Sequence, residues 1–106
     1  MLVGKTPPLA IARKVLKPET IREFLADEFP PSASLILDRW ALNSPEILRA
    51  FEAKNSFHLI LRLDQQTTWE SRALNSDTAW EMSQRGMSDW EILSELGVDT
   101  ELRTIE

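Results

Sequence analysis

The six prolines of this chain limit what its first half can fold into, because all of them lie within the first 45 residues. Proline interrupts a helix from within but fits well in a helix's first turn, where its missing N–H would have no partner. Pro7-Pro8 and Pro18 are therefore expected to begin helices, and Pro30-Pro31 to stop one. Pro45, which follows Asn43-Ser44, has the pattern of a helix start. The prolines predict a series of short helices.

Apolar residues recur three and four positions apart after each of these prolines, which is the spacing of a helix with one buried face. A Ser32 or Ser34 cap is expected to begin the third helix. The four predicted apolar stripes are Leu9, Ala12, Val15 and Leu16; Ile21, Phe24 and Leu25; Leu35, Ile36, Leu37, Trp40 and Ala41; and Ile47, Leu48 and Phe51.

Residues 57–63 are open to two interpretations. As a strand they would alternate an apolar face with a mixed one, whereas as a helix they would be apolar almost all round. The alternation and the lack of a strong cap favour a strand, paired with residues 102–105 or 1–3 to satisfy its backbone groups. A further helix would then begin at Thr67 or Thr68.

These elements predict a mainly α fold, a compact bundle of five to six short helices with an optional small two-stranded β element. At 106 residues the chain is expected to form a single domain, residues 1–106.

Two further helices are predicted near the C-terminus by repeated start and stop signals. Ser76 precedes a helical segment that stops at Gly86, and Ser88 precedes another that stops at Gly97. Serine is a favoured N-cap and glycine a favoured residue just beyond a helix end. In the second helix, Ile92, Leu93 and Leu96 define the buried stripe.

Charge is distributed unevenly along the chain. Residues 1–18 carry a net charge of +4, and residues 77–106 carry eight acids and two bases, a net of −6. Solvated helix faces explain such a pattern, but it also suits an acidic end that meets a basic partner.

Residues 79–102 resemble the helix-turn-helix of bacterial regulators and recombinases. The resemblance rests on Gly86-Met87-Ser88, on Glu91-Ile92 and on Leu96-Gly97-Val98. It implies a recognition helix starting near Asp99 that would lie in the major groove of DNA.

This chain departs from the pattern of that family in several respects. Leu93 stands where the family usually has a small residue, and Arg103 stands where it places an aliphatic one. The net charge of residues 77–106 is also opposite to what phosphate neutralisation requires. These departures favour a protein-binding use of the helix pair over direct nucleic-acid contact.

No residue pattern predicts catalysis, a metal or a cofactor. The chain has no Cys, one histidine (His58) and three unclustered glycines, which excludes thiolate sites, a two-His site and a phosphate loop. Its acidic pairs lie on polar helix faces rather than in a cleft. We therefore expect no enzyme activity. No apolar run reaches membrane length and no secretory signal is evident, so a cytoplasmic location is expected.

The sequence predicts a non-catalytic protein-binding module that acts through its acidic C-terminal helix pair, as an antitoxin, immunity protein, inhibitor or accessory factor would. Its partner would be a protein with a basic surface, and homo-oligomerisation stays open. The four tryptophans either pack in the core or include exposed anchors, since Trp is enriched at interface hot spots. The alternative function is a helix-turn-helix DNA-binding regulator or mobile-element accessory protein. The candidate site residues are Trp80, Glu81, Trp90, Glu91 and Glu95.

Overall fold

The computed structural model describes residues 9–103, and within that range the fold is mainly helical, as predicted. It contains seven α-helices and no strand in the described residues, so the optional β element is not formed there. The helices are α1 (Ala12–Val15), α2 (Pro18–Ala26), α3 (Pro31–Asn43), α4 (Pro45–Lys54), α5 (Ser56–Leu74), α6 (Asp77–Gln84) and α7 (Asp89–Glu95).

Prolines begin three of the helices in the first half of the chain. Pro18, Pro31 and Pro45 are the first residues of α2, α3 and α4. Each is preceded by a residue outside the helical region, so the chain turns sharply at every joint. The cap predicted at Ser32 or Ser34 is wrong, because both serines lie inside α3, which begins at Pro31. The helix start predicted at Pro7-Pro8 lies outside the described residues.

The strand predicted at residues 57–63 is wrong, because these residues form the first half of the 19-residue helix α5. Asn55 caps this helix by accepting a hydrogen bond from the Phe57 N–H at 2.8 Å. A second helix does not start at Thr67, whose hydroxyl donates to the Leu63 carbonyl one turn earlier. The buried face of α5 runs in helical period through Leu59, Ile60, Leu63, Gln66, Thr67 and Glu70. Because Gln66, Thr67 and Glu70 are polar, the positions of the apolar residues alone did not reveal the helical period.

The core lies between α3 and α5, and residues from both ends of the described chain join it. Trp40 of α3 and Leu63 of α5 are fully buried. Leu9 and Leu102 belong to the same buried cluster. Helix α5 packs against α3 and α4 on one part of its length and also contacts α6 and α7.

Both C-terminal helices have the starts and stops that the sequence predicts. The hydroxyls of Ser76 and Ser88 accept hydrogen bonds from the N–H groups of Ala79 and Glu91, both at 3.2 Å. After the helices, Gly86 and Gly97 adopt φ values of +91° and +76°. A glycine takes this left-handed conformation without the steric cost that a side chain would add.

None of the helices in the described residues is long and apolar enough to cross a membrane.

Candidate protein-binding surface

All five candidate site residues are exposed, and they lie on the outward faces of α6 and α7. Ala79 faces inward from α6, and Ile92 and Leu93 face inward from α7. Helical spacing therefore places the candidate residues on the opposite sides of the two helices. We call the outward set the α6–α7 surface; it consists of Asp77, Trp80, Glu81, Trp90, Glu91 and Glu95.

Three of the four tryptophans are exposed, but they differ in what they touch. Trp90 is 51% exposed and has the Arg39 guanidinium 5.2 Å from its ring centroid. Trp69 is 46% exposed and covers the Arg62 guanidinium at 5.5 Å. Trp80 is 65% exposed and has no aromatic or cationic partner within the described chain. Trp80 is thus the tryptophan whose exposure has no internal explanation.

Arg62 accounts for the position of Trp69. Its guanidinium lies between the rings of Trp40, at 5.2 Å, and Trp69. Burial lowers the pKa of Arg62, and the charges of Asp99 and Glu70 act in the opposite direction. Trp69 therefore shields a partly buried cation and is not a free anchor.

Glu91 has a structural role that competes with the predicted binding role. Its carboxylate accepts hydrogen bonds from the Ser88 N–H at 2.9 Å and from the Ser88 hydroxyl at 3.2 Å. With the reciprocal bond from the Glu91 N–H to Ser88 Oγ, this forms a capping box at the start of α7. The Ser88…Glu91 spacing is the sequence signal for this role. Glu81 and Glu95 are exposed with no comparable side-chain hydrogen bond in the described residues.

A buried polar network below the surface was not predicted from the sequence. Arg39 of α3 donates to both carboxylate oxygens of Glu70 on α5, at 2.7 and 3.1 Å. Gln66 donates to the same carboxylate at 2.7 Å. Since Arg39 also lies against Trp90, this network connects the α6–α7 surface with the core. No apolar pattern reveals such partners, because the pairing is formed between residues 31 positions apart.

The recognition helix that the helix-turn-helix resemblance implies is not formed over residues 99–103. The segment's carbonyl groups are bound by side chains instead. Gln66 donates to the Asp99 carbonyl at 2.8 Å, and Trp40 donates to the Thr100 carbonyl at 3.2 Å. Leu102 is buried in the core. Packing of this segment across α3 and α5 therefore replaces the helix.

The base in this segment is paired with an acid. Arg103 donates two hydrogen bonds to the Asp99 carboxylate, at 2.8 and 2.9 Å, in an exposed ion pair. These bonds, with one from the Glu101 N–H, lower the pKa of Asp99 and correspondingly raise the pKa of Arg103. A guanidinium that is already paired has fewer free hydrogen-bond donors for a phosphate, and its charge is partly neutralised.

The candidates for chemistry lie apart from one another. His58 is exposed on α5 and stacks on Phe51, with ring centroids 5.6 Å apart. Between residues 9 and 103, no three His, Asp or Glu side chains are grouped so as to hold a metal ion. The expectations of no enzyme activity and no cofactor stay predictions.

Comparisons with protein-family models, with curated proteins and with solved structures found no significant match.

Proposed function

We propose that this chain is a non-catalytic protein-binding module whose α6–α7 surface binds a basic surface of another protein. The observation that carries the proposal is Trp80, which is 65% exposed beside acidic side chains. The chain would act as an antitoxin, an immunity protein, an inhibitor or an accessory factor to a nucleic-acid-binding complex.

The exposure of Trp80 supports an anchor role on energetic grounds. A tryptophan buries roughly 150–250 Å² when it is covered, and each Å² of apolar surface removed from water contributes about 25 cal/mol. Since Trp80 is 65% exposed, covering the rest of it contributes about 2–4 kcal/mol before the costs of association are subtracted. Most of this stabilisation is absent in the free protein and would come from a partner that covers Trp80.

The charges around Trp80 define the chemistry of the partner. Asp77 and Glu81 are one helical turn apart on the outward face of α6, and Glu95 extends the acidic area on α7. Residues 77–95 contain five acids and one base. An acidic area steers a basic partner toward it and accelerates association. Basic nucleic-acid-binding proteins are therefore natural targets.

Site-specific photo-crosslinking tests the proposal in cells that naturally contain the chain. A benzophenone amino acid replaces Trp80 in one variant and Leu42 in the control, since both side chains are 65% exposed and lie on different helices. We expect an adduct with one basic protein from position 80 and none from position 42. Equal adducts from both positions, or an adduct with a second copy of this chain, would contradict the proposal.

Charge reversal then tests the electrostatic part with the purified partner. Glu81→Lys/Glu95→Lys changes the local charge by four units and spares the capping box of Glu91. We expect slower association, with the difference shrinking as salt is added. Arg13→Glu/Lys14→Glu on the exposed face of α1 is the control. If the control abolishes binding and the acidic reversal does not, the interface lies on α1.

A further inference from the structure

An apolar groove lies between the end of α2 and the first half of α5. It has a volume of about 310 Å³. Its apolar lining includes Phe29 and the buried Ile60. Phe57 and Leu61 also line it and are 61% and 52% exposed. Phe29 is held in place by stacking on Phe24, with ring centroids 5.0 Å apart. We call this feature the α2–α5 groove.

The rim of the α2–α5 groove is acidic. Asp27, Glu28 and Asp64 line it, all three are exposed, and none of the described lining residues is basic. An apolar base with a rim of one sign complements a segment that has apolar side chains on one face and cations beside them.

The two acids at the end of α2 are in an electrostatically unfavourable place. The C-terminal end of a helix carries a partial negative charge and favours cations. Yet Asp27 is the C-cap of α2, Glu28 follows it, and the last turn contains no base. A cation supplied from outside would relieve this repulsion together with that among the three carboxylates.

Glu28 has a strained backbone conformation. Glu28 has a φ of +54°, in the left-handed region that disfavours residues with a side chain. At the same position after α6 and α7 the chain uses Gly86 and Gly97. Glutamate at this position therefore carries a steric cost that a glycine would not.

We propose that the α2–α5 groove is a second docking site, which binds a basic amphipathic helical segment of a protein partner. Apolar side chains of that segment would cover Phe57 and Leu61, and its Lys or Arg side chains would meet Asp27, Glu28 and Asp64. Along α5, Phe57 and Leu74 are separated by about 25 Å at 1.5 Å per residue. The groove thus lies at the end of α5 opposite to its junction with α6, and the proposal does not depend on the α6–α7 surface.

The test uses the whole chain and a synthetic helical peptide of leucine and lysine, with a leucine and glutamate peptide of the same pattern as control. Two-dimensional NMR of the ¹⁵N-labelled chain maps where each peptide binds. We expect the basic peptide to shift the amide signals of residues 27–29 and 57–64, and the acidic peptide to shift none. Shifts confined to α6 and α7, or no binding, would overturn the proposal.

Variants decide whether the groove itself provides the affinity. Leu61→Ala should weaken peptide binding about tenfold or more, as the loss of a buried leucine contact does. Leu42→Ala on α3 removes a leucine elsewhere that is 65% exposed, against 52% for Leu61, and should leave the affinity unchanged. Asp27→Asn/Asp64→Asn should weaken binding by about two- to fivefold per charge. Equal effects of the two leucine changes would overturn the proposal.

Glu28→Gly keeps the test independent of folding. The substitution relieves the strained φ, so the melting temperature should be retained or raised while peptide affinity falls. Unchanged affinity in this variant would show that the carboxylate has no part in binding. Sedimentation and amide hydrogen exchange without peptide provide the remaining test. A dimer in which the amides of the groove are protected from exchange would mean that a second copy of the chain occupies the site.

Discussion

Arg39 links more parts of the molecule than any sequence pattern around it indicates. Its guanidinium binds Glu70 in bidentate fashion, donates to the Thr100 carbonyl at 3.0 Å and lies against Trp90. It therefore joins α3, α5, α7 and the C-terminal segment through one side chain. A buried ion pair of this kind contributes little net stability, but it is costly to break from one side.

Replacing Arg39 alone should destabilise the protein strongly. Arg39→Met leaves the Glu70 carboxylate, which is 7% exposed, without its cation. We expect a loss of about 3–5 kcal/mol in the free energy of unfolding, measured with urea. The double change Arg39→Met/Glu70→Met should recover most of the loss, because no unpaired charge then remains. A double variant as unstable as the single one would show that the packing of Arg39, rather than its charge, is what matters.

The ion pair between Asp99 and Arg103 makes the stability of the fold depend on pH. Hydrogen bonds from Arg103 lower the pKa of the Asp99 carboxyl, so the folded state is favoured while this group is ionised. The contribution is present above the ordinary Asp pKa of about 3.9 and is lost as pH falls through the lowered value. It should be small, since the pair is exposed.

Titration of the Asp99 carboxyl carbon by NMR checks this. We expect a midpoint below about 3.9 in the parent chain and a higher one after Arg103→Ala. Lys replacement at Arg103, which keeps the charge but not the two-bond geometry, should give an intermediate value. Identical midpoints in the parent and Arg103→Ala would contradict the assignment.

Helix boundaries could be predicted wherever start and stop signals lie in the local sequence. Pro18 and Pro45 begin helices, and Gly86 and Gly97 follow their ends, as expected from the sequence, whereas Pro31 begins α3 where a helix stop was expected. These signals act locally, through a fixed φ, a missing N–H or an allowed left-handed turn. They hold whatever the rest of the fold does.

Helix α5 could not be predicted in this way, because long-range partners decide its second half. The buried Gln66 and Glu70 have their hydrogen-bond partners, the Asp99 carbonyl and Arg39, in distant parts of the chain. The alternating pattern at residues 57–63 has a different cause. Phe57 and Leu61 are exposed apolar residues, which imitate one face of a strand. The candidate site showed the same division: exposure of Glu81 was predicted, exposure of Trp80 was one of two alternatives, and the network under Trp90 was not predicted.

Helix α7 offers a direct test of inward and outward faces. Ile92 is 1% exposed, so Ile92→Ala should lower the free energy of unfolding by about 2–4 kcal/mol. Leu96 is only half-buried at the end of the helix, so Leu96→Ala should cost about half as much. Chemical denaturation measures both. An unchanged midpoint for Ile92→Ala would mean that the helix docks in another orientation.

The net charge of the whole molecule affects which partners it associates with, but it does not determine the fold. The chain carries −5 overall. A surface of that sign repels a polyanion, and phosphate contacts supply most of the affinity of DNA-binding proteins. Arg13, Lys14 and Lys17 are exposed near α1, but they are few.

We therefore expect no sequence-specific binding of double-stranded DNA at about 150 mM salt, near physiological ionic strength. A gel-shift assay with a random-sequence pool, followed by selection, would measure this. A sub-micromolar complex that discriminates between sequences would contradict it, because non-specific binding typically has a Kd of about 10⁻⁴–10⁻⁶ M. It would also restore the helix-turn-helix regulator as the leading hypothesis.

The path of residues 99–102 across α3 and α5 has a consequence for the order in which the protein is made. Gln66 and Trp40 have hydrogen-bond partners on Asp99 and Thr100, 33 and 60 positions later in the chain. A ribosome adds about 5–20 residues per second. The side chains of Trp40 and Gln66 are therefore without these carbonyl partners for some seconds after they are synthesised. A nascent chain that has not yet reached Leu102 therefore has an open core. Synthesis of residues 99–102, and not the formation of the first helices, should mark the moment when this fold becomes resistant to proteases.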